Sequence, residues 1–154
     1  MNVRIEPIRS GENIPFTLLE LADPSRAQIE SYFTPEGCFA VRAGTETVGV
    51  MVMMRLDAHT AEVKNIAVSE SEQGKGYGKA LLKYADQVAK EWECETLLIG
   101  TGNSSIGQLA LYQKVGFEML RIEKDFFLRH YAEPIWENGI QCKHRVILEK
   151  RVGE

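Results

Sequence analysis

With 154 residues and no Pro- or Ser-rich linker, the chain is expected to form one domain over residues 1–154, long enough to bury a substantial core. A formal net charge of -4 gives no basic footprint for nucleic acid, and a charged N-terminus without any apolar run of membrane-spanning length predicts a cytoplasmic location with no membrane partner. Cys38, Cys94 and Cys142 are odd in number and include no C-x-x-C pair, which predicts reduced, mostly buried thiols and no metal site.

In chain order, Val3, Arg4, Ile5 and Glu6 alternate as a first strand. Residues 16–22 and 26–33 read as two short helices, parted by the breaker and capping signal Asp23-Pro24-Ser25. Residues 38–43 and 47–56 form a hairpin-like pair, with Val48, Val50 and Val52 expected on one face and Met51 and Met53 on the other. A β-branched strand, 62–68, leads into a glycine-rich stretch, 73–78. The clearest helix follows, because Leu81, Leu82, Ala85, Val88, Ala89 and Trp92 recur at helical spacing and would lay one stripe on a sheet. The apolar run 96–99 reads as a strand, and 105–115 as a helix ended by Gly116-Phe117. Residues 117–127 and 140–150 read as the last two strands, joined by a long connection, 128–138, with an Asn138-Gly139 turn before the final strand. His59 and His144 read as structural; His130 lies in the long connection with Tyr131 and Trp136, a place where functional lids occur. No two histidines have metal-ligand spacing.

The glycine-rich stretch Gln73-Gly74-Lys75-Gly76-Tyr77-Gly78 stands between a strand and a helix, where backbone N–H groups can converge on an anion at the helix N-terminus. It is no Walker loop, since Ala80 follows Lys79 and supplies no hydroxyl for Mg²⁺. Nor is it a dinucleotide fingerprint, because Lys79 stands where the third glycine belongs. What remains is Q-x-x-G-x-G, filled by Gln73, Gly76 and Gly78, and this resembles motif A of the GCN5-related N-acetyltransferases. Residues 105–117, ending Ala110-Leu111-Tyr112-Gln113-Lys114-Val115-Gly116-Phe117, are similar to motif B of the same family. The order of elements agrees over essentially the whole chain.

The resemblance implies an α/β (α+β) fold of the GNAT acyl-CoA N-acyltransferase type: a mixed, mostly antiparallel sheet with splayed central strands and flanking helices. It implies acetyl-CoA as acyl donor, and as activity an N-acetyltransferase moving the acetyl group to a primary amine of a small molecule or a protein. An acyl-CoA-binding regulatory module with little catalysis is the alternative. Members of the family are often homodimers. Carried over, the backbone of Ile66, Ala67 and Val68 would face the pantetheine, with an amide of Ala67 or Val68 as oxyanion donor. Gln73, Gly74, Lys75, Gly76, Tyr77, Gly78 and Lys79 would face the pyrophosphate. Tyr112 matches the tyrosine that can protonate the departing thiolate, a suitable role for a phenol of pKa ~10. Glu62 is the candidate general base, with a water relay as the other route. By strand alternation Asn65 would point away from Glu62, unless a bulge of the kind common in this strand of the family intervenes. Either Asn103 or Ser105 would contact the pantetheine, Ser105 standing where the family often has asparagine. The connection 128–138 would border the acceptor site.

Overall fold

The protein is seen in a computed structural model in which residues 3–154 are described. Strand β1 (Val3–Pro7) is followed by helices α1 (Phe16–Ala22) and α2 (Arg26–Tyr32). Strands β2 (Cys38–Ala43), β3 (Glu46–Arg55) and β4 (Thr60–Val68) then form a meander, and α3 (Tyr77–Glu91) leads to β5 (Thr96–Gly102) and α4 (Ile106–Lys114). The chain ends with β6 (Glu118–Glu123), α5 (Phe126–His130), β7 (Ile135–Glu137), β8 (Ile140–Cys142) and β9 (Arg145–Arg151). Seven strands share one sheet in the order β1-β2-β3-β4-β5-β9-β6, and β7 and β8 form a separate hairpin. The expected break at Asp23-Pro24-Ser25 is a working cap: the Ser25 side chain accepts from Gln28 N at the start of α2.

Each face of the sheet buries a core. On one, the α3 stripe of Leu81, Leu82, Ala85, Val88 and Ala89 packs with Met51, Met53, Ala61, Val63, Leu97 and Ile99. On the other, Leu19 of α1 and Ile29 of α2 pack with Cys38, Ala40, Val50, Val52 and Ala67. Fully burying one such large aliphatic side chain contributes about 1.5–3 kcal/mol, so these two layers fix the positions of α1 and α3 over the central strands. The three cysteines are free and buried.

Three bulges break the alternation that simple strand reading assumes, one of them in β6 at Leu120 and the other two in the strands that frame the site. Gly49 stands opposite Val41 and Thr47 opposite Arg42, so Val48 is an extra residue; it joins Met51 and Met53 in the α3-side core rather than Val50 and Val52. On β4, Asn65 is opposite Val52 and Val63 opposite Met53, leaving Lys64 as the extra residue. The bulge turns Asn65 to the face that carries Glu62 and Ala67, where the period-two pattern would have separated Glu62 from Asn65.

The C-terminal third is more divided than the sequence pattern predicts. The stretch 117–127 is strand only over Glu118–Glu123 before α5 begins, and 140–150 splits into β8 of the hairpin and β9 of the main sheet. Asn138 (φ 53°) and Gly139 (φ 72°) do form a turn, but it joins β7 to β8 within the supposed long connection. Short strands of three residues give too little periodicity to be read from sequence.

Candidate active site

Strands β4 and β5 run parallel and pair from Thr60↔Thr96 to Val63↔Ile99. Beyond that point they part. β4 continues to Val68 with its inner edge paired to β3, while β5 continues to Gly102 paired to β9. The unpaired edges open a cleft with two hollows, one on each side of Tyr112.

The first hollow, of about 590 Å³, is lined by Ile66, Ala67 and Val68 of β4, by Gln73, Gly74, Gly76, Tyr77, Gly78 and Lys79, and by Gln108 and Leu111 of α4. The first helical hydrogen bond of α3 runs from Ala80 N to Gly76 O at 3.0 Å, so the N–H groups of Tyr77, Gly78 and Lys79 precede it and remain available. Gly76 supports this start with φ 89°, a left-handed backbone that a β-carbon disfavours, although a β-carbon there would meet no protein atom within 4 Å. Gln73 Nε2 donates to Val68 O at 3.0 Å and ties the loop to the end of β4. Lys75 does not line the hollow; it is exposed and paired with Glu72 at 2.8 Å. Chemically this is a slot of backbone donors with an unpaired strand edge beside it, suited to a phosphate group followed by an amide-bearing arm.

The second hollow, of about 400 Å³, lies between α1, α2, the β5 end, α5 and the β7–β8 hairpin. Asp23, read from the sequence as part of a breaker, is buried here and accepts from Ser25 N at 3.1 Å, Tyr32 Oη at 2.9 Å and Tyr131 Oη at 2.8 Å. Burial pushes both the Tyr32 and Tyr131 phenols well above their ordinary value, with Asp23 adding to the shift. Asn65 Nδ2 donates to Leu19 O and to Tyr32 Oη, each at 3.0 Å, and leaves Asn65 Oδ1 buried without a donor. A buried acceptor left unmatched costs about 1–3 kcal/mol.

Arg145, on β9, also lines this hollow and was not singled out by any sequence motif. It is paired with Glu62 and with Glu123, the latter at 3.3 Å, and its guanidinium lies 5.2 Å from the centre of the Phe126 ring. Gly100 makes room for it: a β-carbon at 100 would stand 2.5 Å from Arg145 Nε.

Tyr112 lines both hollows, together with Leu21, Ala22, Ile66 and Gln108. Its ring is 3% exposed and 6.2 Å from that of Phe117, and burial alone raises its phenol well above the ordinary value. Glu62 is buried and lines neither hollow; Oε1 is 3.2 Å from Lys64 Nζ and Oε2 is bound to Arg145, and both of these cations line the second hollow. Asn103 lies outside both linings. Its Nδ2 donates to Gln141 O at 3.1 Å and its Oδ1 accepts from Lys143 N at 2.8 Å and His144 N at 2.9 Å, which commits the amide to the β8–β9 link. Ser105 lines the second hollow and donates to Glu137 Oε1 at 2.8 Å. His130 is exposed with its ring 4.4 Å from Phe126, and His144 Nδ1 accepts from Asp125 N at 3.0 Å; neither lines a hollow. Among the described residues no group of three or more His, Cys, Asp or Glu could hold a metal ion.

Comparison with known proteins gives the family. A profile of the acetyltransferase (GNAT) family matches residues 5–117. The chain belongs to that family. It is 48% identical over 151 residues to an uncharacterised N-acetyltransferase of Bacillus subtilis (strain 168), covering 96% of this chain and 97% of that one. A GNAT family acetyltransferase from Elizabethkingia anophelis, solved with acetyl-CoA bound, superposes with a TM-score of 0.94 at 45% identity, over 97% of this chain and 98% of the other. An acetyltransferase of Bacillus subtilis, solved in complex with CoA, gives 0.89 at 47% identity, over 97% and 99%. This GNAT chain is therefore an acyltransferase of the N-acetyltransferase kind that uses acetyl-CoA, and the backbone-lined hollow at the α3 N-terminus fits a phosphate-bearing donor. Among the described residues no helix is long and apolar enough to cross a membrane.

Proposed function

We propose that the enzyme transfers the acetyl group to a primary amine seated in the second hollow, by direct attack of the amine on the thioester. The observation that carries this reading is the sharing of Tyr112 and Ile66 by both hollows: donor and acceptor can meet at one phenol and one free strand edge. When bound, acetyl-CoA supplies the activated acetyl group. The amides of Tyr77, Gly78 and Lys79 hold its phosphates, and β4 backbone from Ile66 to Val68 orients the pantetheine. An amide of Ala67 or Val68 donates to the thioester oxygen as it gains charge. The amine nitrogen bonds to the acyl carbon, the C–S bond breaks, and the excess proton of the nitrogen leaves through water.

In this scheme the departing thiolate takes its proton from water, and Tyr112 is the hydrogen-bond donor to the sulfur. Because burial raises its phenol, full transfer to a thiolate is uphill. Its contribution is a hydrogen bond that strengthens while charge builds on the sulfur. Glu62, held by Lys64 and Arg145, serves in our reading as the anchor that fixes both cations beside the acceptor. Direct uptake of the amine's proton would weaken both of these pairings. The test is thiol release from acetyl-CoA across a panel of primary amines, with the acetylated product identified by mass spectrometry. Turnover dependent on a primary amine is the expected result; thiol release without any acetylated amine would sink the proposal.

A further inference from the structure

The second hollow carries charge that its ion pairs leave over. Its two cations, Lys64 and Arg145, are both bound to Glu62, and Arg145 also to Glu123; Glu20 at the rim is paired with Arg26 at 2.7 Å. Asp23 and Glu137 have no cationic partner among the described residues. Asp23 is held by a backbone amide and two phenols, and Glu137 by the hydroxyls of Ser104 at 3.1 Å and Ser105 at 2.8 Å. All of these donors are neutral, so they orient the two carboxylates without cancelling their charge. Phe126, Phe127 and the two tyrosines give the same hollow aromatic walls, which favour a cation over an anion.

A second, independent feature points to an N–H donor. Asn65 is 4% exposed and stands in the wall of the hollow with Oδ1 unmatched. Its amide cannot be turned over to remove the mismatch, because Nδ2 is needed to donate to Leu19 O. The β4 bulge at Lys64 is what directs this side chain to the acceptor face, one residue before the Ile66 that both hollows share.

We propose that the acceptor is a small aliphatic diamine or polyamine. Its reacting amine donates to Asn65 Oδ1 on the way to the thioester, and a second ammonium rests against Asp23 and Glu137 among the aromatic rings. A hollow of about 400 Å³ holds a molecule of that size. An amine that carries a carboxylate in place of the second ammonium would face Asp23 and Glu137 with like charge. The one guanidinium in reach is already shared by two carboxylates.

This inference rests on the N-acetyltransferase reading, and the experiment separates the two. With saturating acetyl-CoA and the full chain, kcat/KM is measured for putrescine, butylamine and γ-aminobutyrate, which share a four-carbon chain and differ in the distal group. Putrescine is expected to exceed butylamine by roughly tenfold or more, the worth of one charge-assisted hydrogen bond, with γ-aminobutyrate slowest. In Glu137→Gln the putrescine-to-butylamine ratio should fall by roughly tenfold, chiefly through KM for putrescine. Asp23→Asn should act in the same direction, but Asp23 also holds Tyr32 and Tyr131 in place, so Glu137→Gln decides if that variant fails to fold. A ratio near one, a preference for γ-aminobutyrate, or a ratio unmoved by Glu137→Gln would overturn the diamine while leaving the transferase reading intact. Thiol release with no acetylated amine of any charge would overturn both.

Discussion

The two hollows that meet at Tyr112 are made of different material. The hollow we propose for the donor is chiefly main chain: the amides at the start of α3, the β4 edge, and glycines that let the backbone reach those positions. The hollow we propose for the acceptor is chiefly side chain: Asp23, Tyr32, Asn65, Tyr131 and Arg145, brought from α1–α2, β4, the end of α5 and β9. Main-chain recognition is indifferent to neighbouring residue types as long as the turn forms, so one donor can be kept while the acceptor side is free to vary. The family likeness accordingly carries the donor to this chain and leaves the acceptor to be argued from charge and shape.

The largest effect should come where the two sides touch. Tyr112→Phe keeps the ring and its contact with Phe117 and removes the hydroxyl. If the phenol serves the sulfur, kcat should fall by roughly 10²–10⁴ with KM for acetyl-CoA little changed. Loss of the folded state in circular dichroism would instead mark a packing role, and an unchanged kcat would take Tyr112 out of the reaction. Because burial raises the phenol, no loss of rate from its ionisation is expected between neutral pH and its ordinary value near 10; a pH–rate profile that falls there only when Tyr112 is present would contradict this.

Next comes Glu62→Gln, which asks whether this buried carboxylate belongs to the chemistry or anchors Lys64 and Arg145, which line the second hollow. Leaving Lys64 and Arg145 without their shared anion should cost about 3 kcal/mol of stability, read from denaturant midpoints. As an anchor it should raise KM for the amine and leave the shape of the pH–rate profile alone. A profile that instead climbs toward the acceptor's own pKa would restore Glu62 as the general base.

These cases also show which parts of the site could be read from sequence. The turn at Gly74 and Gly76 was legible because a left-handed backbone, φ 81° and 89° here, demands glycine, and the α3 stripe because burial at helical period leaves a strong pattern. Asp23 was legible only as a breaker, since nothing local tells a capping carboxylate from one that also gathers Tyr32 and Tyr131 from elsewhere in the chain. The face of Asn65 turned on whether β4 carries a bulge: simple alternation separates it from Glu62, and the extra residue at Lys64, the exception allowed for this strand, brings the two together. Arg145 had no signal at all: it is one alternating residue of a strand, and its meeting with Glu62 depends on sheet order and on the space left by Gly100.

The donor side can be broken through its backbone. For the native chain, CoA at ~100 times its dissociation constant should add about 2.7 kcal/mol, seen as a rise in melting temperature, while NAD and ATP should add little. Gly76→Val should abolish that rise, since a β-branched residue resists φ 89° and the amides ahead of Ala80 would no longer converge. An undiminished CoA shift in the variant would mean that the α3 N-terminus is not where the phosphates bind.

The smallest effect should come from Asn103, a residue whose place in the motif pattern suggested the donor and whose contacts lie elsewhere. Its amide makes three hydrogen bonds to the backbone of Gln141, Lys143 and His144, and so fixes the link between the β7–β8 hairpin and β9. That link carries Arg145 into the acceptor hollow. Asn103→Ala leaves those main-chain groups to water and should cost about 2 kcal/mol of stability. The division of the site then predicts the kinetic pattern: KM for acetyl-CoA should hold, and KM for the amine should rise as Arg145 and the hairpin loosen. A variant in which KM for acetyl-CoA rises tenfold while the amine's stays fixed would put Asn103 on the pantetheine, and would show that side chains share the donor side with the backbone after all.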